Sequence, residues 1–169
     1  MEKKIIIQGK HNCDKINKIK NPIRSDAINN PLNEEYYNYN NQIEILNKMF
    51  LNENNDDVIH KLLNTKINGY KHQDIEKQIL QSEKLINLDN LIEKLVISKL
   101  KCYYCKEKIL LCYKNVREKK QWTLDRIDND YGHNHDNVVI SCLECNLKRR
   151  CIDMNKYKES KKFRYIKKI

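Results

Sequence analysis

From residue 33 onward, apolar positions return at three- and four-residue steps. In NEEYYNYNNQIEILNKMFL, Tyr36, Tyr39, Ile43, Leu46 and Phe50 fall on one face, which predicts a helix. A second short helix is expected at VIHKLL, within 57–63, with Gly69 marking its end. HQDIEKQIL and NLIEKLVISKL supply two more; in the latter Leu88, Leu91, Ile92 and Leu95 share a face and Asn87 stands at the N-cap position. The period then changes. WTLDRI alternates as a strand does, NVVIS reads as a second strand, and a polar loop containing Gly132 joins them. CLECNLKRR, with Leu143, Leu147 and helix-forming Lys and Arg, suits a helix. The expected class is α+β: a helical region over 34–100, a small strand–loop–strand–helix domain over 101–152 and a basic tail over 153–169. Residues 1–33, with Pro22, Pro31 and no sustained period, read as an extended or disordered arm.

Composition narrows the setting. Only 40% of the 169 residues are hydrophobic, too few for a large core, and no stretch is long and apolar enough to span a membrane. The IIIQG run near the N-terminus lacks the length and cleavage site of a signal peptide, so a reducing intracellular compartment is expected. In such a compartment paired cysteines are more often metal ligands than disulfides. Cys102 and Cys105 in CYYC and Cys142 and Cys145 in CLEC offer four soft donors, the set a closed structural zinc site uses. Cys112 and Cys151 stand outside both turns. The formal charge of +10 points to an anionic partner, and clustering favours nucleic acid: residues 148–168 hold ten Lys or Arg against Asp153 and Glu159.

Between the zinc pairs lie donors of another kind: Asp125, Asp128, Asp130, His133, His135, Asp136 and Asn137. Hard oxygen donors suit Mg²⁺ or Mn²⁺, so a second site is expected there. The plain alternative is a polar hairpin loop, since Asp, Asn and Gly are turn formers and Asp125 can simply pair with Arg126 or Lys148. The first hundred residues present no comparable cluster. His11, His60 and His72 stand alone, and Tyr36, Tyr37 and Tyr39 are better suited to packing against a helix than to stacking on bases.

The ordered set Asp125, Asn137, Cys142, Cys145 and Asn146 resembles the HNH nuclease domain, the zinc-stapled branch of the ββα-metal fold, and is similar to HNH-like proteins of large DNA viruses. The likeness covers about fifty residues, 102–150, with a looser echo in NGYKHQDI and SKLKCYYC. It implies a catalytic divalent ion held by Asp125 and Asn146, with Asn137 fixing the loop. Arg126 departs from the pattern, because it stands where the family places its general-base His. Arginine stays protonated at any useful pH, so its expected role is to grip or stabilise the phosphate, leaving His133 or His135 as the base.

Two functions of different class follow. One is a metal-dependent endonuclease cutting double-stranded DNA, with Lys148, Arg149 and Arg150 holding the backbone. The other is a noncatalytic zinc-stapled nucleic-acid-binding module that has lost its base. A third reading gives residues 34–100 a protein partner, on the amphipathic pattern alone.

Overall fold

The computed structural model describes residues 31–53 and 56–162. The arm expected over 1–33 therefore lies outside the described residues except for 31–33, as does the tail beyond 162. The architecture is α+β, with a two-stranded sheet and no helix long and apolar enough to cross a membrane among the described residues.

A 3-10 turn at Glu34–Tyr37 leads into α1 (Tyr39–Phe50), whose first amides are capped by Asn38. Its buried face is Gln42, Leu46 and Met49; Phe50, expected in the stripe, is 46 % exposed. Gln42 is wholly buried because it bridges elements, accepting from Leu111 N and donating to Tyr36 O and Cys112 O. Tyr36, Tyr37 and Tyr39 pack against the core.

Helix α2 (Asp57–Glu76) is one continuous helix, not the two segments expected. Asp56 caps it, and Ile59, Leu63 and Ile67 bury one side. A lone Gly costs a helix about 1 kcal/mol relative to Ala, which packing of this stripe offsets, so Gly69 sits inside the helix. Helix α3 (Leu88–Ile97) starts at the Asn87 cap, as its sequence predicts, and buries Leu91, Ile92 and Leu95.

Strands β1 (Trp122–Arg126) and β2 (Val138–Cys142) pair antiparallel, with Trp122 opposite Cys142 and Asp125 opposite Val139. Helix α4 (Leu143–Arg149) follows at once, then α5 (Met154–Lys162). One hydrophobic cluster runs from Leu46, Leu63 and Leu95 through Trp122, Leu124 and Ile140 to Tyr157, so the helical region and the strand-and-helix unit share a core. The described part of the basic tail is not a free arm. Tyr157 packs edge-on against Tyr104, Lys158 Nζ lies 4.6 Å from the Tyr103 ring centre, and Lys161 is buried.

The loop between the strands is seated on the helical region. His135 N donates to Lys84 O, Ile86 N donates to His133 O, and Gly132 lies so close to α2 that an added Cβ would meet Asp74 Oδ2 at 2.7 Å and the Ile79 carbonyl at 2.9 Å. The Ile79 contact is backbone and cannot swing aside. Gly132→Ala is therefore expected to cost about 1–3 kcal/mol, read as a lower midpoint in thermal unfolding. An unchanged midpoint would mean that loop and helix are not held this tightly.

Candidate functional site

Cys102 and Cys105 lie in a tight turn after α3, while Cys142 ends β2 and Cys145 sits in the first turn of α4. Pairing of the strands and the immediate start of α4 bring the second pair over the first. The four sulfurs lie within 4.8 Å of one another, and Cys105 Sγ to Cys142 Sγ is 3.9 Å. A tetrahedral ion with bonds of about 2.3 Å needs sulfurs about 3.8 Å apart. The cluster can thus hold a metal such as zinc, and among the described residues it is the one such group of three or more His, Cys, Asp or Glu. Cys142 N donates to Cys102 Sγ and Cys145 N to Cys142 Sγ; hydrogen bonds from Cys142 and Cys145 hold the Cys102 thiol below its ordinary range, and the bond to Cys102 pushes Cys142 up. Cys112 lies buried apart from the cluster, its thiol pushed up to about 12 by desolvation, and Cys151 is exposed.

A separate cleft of about 370 Å³ opens beside the end of β1. Asp125, Arg126 and Leu124 line it from β1, Asn146 and Leu147 from α4, His133 from the loop and Arg150 from the turn after α4. Helix α2 closes the other side with Tyr70, Gln73 and Lys77. The helical region, which offers no legible chemistry in sequence, thus forms one wall. Asp74 stands behind it, wholly buried, with Oδ1 2.7 Å from His133 Nδ1 and Oδ2 accepting from His133 N at 2.6 Å. Its signal in the sequence is its phase: Asp74 continues the stripe Ile59, Leu63, Ile67, Tyr70, where an acid without a partner would cost several kcal/mol.

The expected site residues separate into several environments. Asp125 is 5 % exposed; it accepts from Tyr104 O–H through Oδ2 and pairs through Oδ1 with Arg149 Nη1 at 2.8 Å. Burial pushes its carboxyl up, against the opposing pull of Tyr104 and Arg149. Asn146 Nδ2 donates to Thr123 Oγ1 and Leu124 O, and its Oδ1 makes no hydrogen bond among the described residues. Asn137 does not line the cleft. Its Oδ1 accepts from Asp128 N and its Nδ2 donates to the carbonyls of Asp128 and Gly132, so it ties the loop shut. Asp128, Asp130 and Asp136 are exposed and do not converge with Asp125.

Of the two loop histidines, His133 is buried on the cleft, while His135 is exposed and lies against Lys84 O. Desolvation holds the His133 ring below its ordinary 6.5; the charge of Asp74 raises it, and Arg126 and Lys77 lower it further. Arg126 reaches the cleft, but its Nη1 is spent on the carbonyls of Asn129 and Tyr131, so it braces the loop as well.

Arg149 corrects an expectation. Grouped by sequence with Lys148 and Arg150 as a phosphate-holding residue, it is instead 1 % exposed, with Nε on Ile152 O, Nη1 on Asp125 and Arg126 O, and Nη2 on Ile127 O. Lys148 is exposed and pairs with Glu144; Arg150 is exposed at the cleft.

The donor set does not suit Mg²⁺ or Mn²⁺ as it stands. Such ions favour octahedral oxygen ligation with carboxylate charge. Here both Asp125 oxygens are bonded and its charge is met by Arg149, leaving Asn146 Oδ1 as the one side-chain oxygen of the expected pair with no hydrogen bond among the described residues. The other charged groups on the cleft, Arg126, Lys77 and Arg150, are cations and suit an anion. No protein-family model, curated protein or solved structure matches this chain.

Proposed function

We propose that the chain is an HNH-type nuclease that hydrolyses phosphodiester bonds of double-stranded DNA, with structural zinc in the four-cysteine cluster. The observation that carries the reading is the placing of a buried imidazole, His133, on one cleft with Arg126, Asn146 and Arg150. The cations would hold the phosphate; the imidazole, low in basicity through burial, is neutral at pH 7 and able to take a proton. In this mechanism water attacks phosphorus, Asn146 Oδ1 accepts one of its hydrogens to orient it, and the other proton passes to His133. The P–O bond to the leaving oxygen breaks as the new one forms, and that oxygen takes a proton from solvent. A Mg²⁺- or Mn²⁺-dependent form of the reaction would require Asp125 to loosen its bond to Arg149 or Tyr104, or to share an oxygen with them.

The sealing of Asp125 by Arg149 and Tyr104 favours a second reading, a noncatalytic zinc-stapled module that binds nucleic acid. Incubation of supercoiled plasmid with the zinc-loaded full chain in Mg²⁺, in Mn²⁺ or with no added divalent ion separates the two. The nuclease reading expects nicked and linear products, with His133→Ala slowing cleavage by about 10²–10⁴-fold and His135→Ala leaving it unchanged. Salt-sensitive DNA binding without cleavage under any of these conditions would instead establish the module.

A further inference from the structure

We propose that Asp74, on α2, is a positioning residue that fixes His133 as the general base, so that the helical region supplies half of the active site; this rests on the nuclease reading above. Asp74 is bonded twice to one residue, through the backbone N–H at 2.6 Å and ring Nδ1 at 2.7 Å. The two hydrogen bonds set both the position of the loop and the rotation of the ring. The Tyr70 ring, centred 4.5 Å away and tilted 34°, confines the imidazole from a second side. Gly132 lets the loop approach close enough for this contact, since any side chain there would meet Asp74.

The chemistry follows from the donor inventory. A carboxylate only accepts, so Nδ1 carries the ring proton and Nε2 keeps its lone pair, the form a base needs. Free histidine has no such constraint. Beside Asp74, the charged and titratable groups that share the cleft with the ring are Tyr70 and Lys77 from α2, Asp125 and Arg126 from β1, and Arg150 and Cys151 after α4. Asp74 raises the basicity of His133 by its charge and its hydrogen bond, while Arg126 and Lys77 lower it.

The test is Asp74→Asn in the full chain, with plasmid cleavage followed from pH 4.5 to 8. Loss of the fixed acceptor frees the ring to take the wrong tautomer, and kcat is expected to fall about a hundredfold or more with KM little changed. Loss of the negative charge also lowers the His133 pKa, so the acid limb of the rate profile moves to lower pH. A residue that merely supports the fold would lower the melting temperature and leave that limb in place, which would overturn the inference. If Asp74→Asn does not fold, ¹⁵N chemical shifts of His133 in the parent chain decide: a protonated Nδ1 supports the proposal and a protonated Nε2 ends it. A parent chain that does not cut overturns the nuclease reading and this inference with it; a parent that cuts beside an equally active Asp74→Asn overturns this inference alone.

Discussion

Stripping the metal from the four-cysteine cluster, or replacing Cys145 by Ser, is expected to unfold the C-terminal half of the chain. The sheet there is two strands of five residues and the helix on it has seven. A two-stranded pair is marginal in water, and so short a helix does not persist without packing. The cluster joins the pieces: Cys102 and Cys105 come from the turn after α3, Cys142 from β2 and Cys145 from α4. Structural zinc contributes apparent free energies of about 10–16 kcal/mol at pH 7 in small zinc-folded peptides, as large as the whole stability of an ordinary domain. Purified protein should carry one zinc per chain. Addition of a strong chelator should abolish the cooperative thermal transition and any DNA cleavage together, because Asp125 and Asn146 are held by the same β1 and α4. A chelated, metal-free chain with an unchanged transition would show that the four thiols are only a packed cluster.

The strand–loop–strand–helix order and the four-cysteine cluster were legible because local signals carry them: alternation in WTLDRI, a polar turn-forming loop and two CxxC pairs. The wall contributed by α2 was not legible in the same way. Asp74 lies 59 residues before His133, and nothing local reports that pairing. The available clue was negative, an acid standing in the apolar phase of a helix, and it was hidden by the reading of Gly69 as a helix end. The run Lys148, Arg149, Arg150 misled for a geometric reason. Neighbouring residues on a helix point about 100° apart, so three adjacent cations do not share a face. Arg149 turns toward β1 and is buried, while Lys148 and Arg150 remain exposed.

That burial leads to the second large effect. Arg149→Ala is expected to destabilise the chain by about 3–5 kcal/mol, the usual cost of removing one partner from a buried ion pair. The guanidinium meets the Asp125 carboxylate and three carbonyls, those of Arg126, Ile127 and Ile152, and thereby pins the end of β1 to the turn after α4. Its loss leaves Asp125 buried with Tyr104 as its remaining side-chain partner, and leaves three carbonyls short of a donor. Arg149→Lys should recover little, because a single ammonium cannot present the planar fork that reaches all four acceptors. Asp125→Asn should cost less than Arg149→Ala, since the cation keeps its carbonyls and the amide oxygen can still accept. The measurement is denaturant unfolding of the zinc-loaded chain, with the salt dependence of DNA binding taken in parallel. A phosphate-holding Arg149 would give the opposite pair of results: unchanged stability, with the slope of log affinity against log salt reduced by about one.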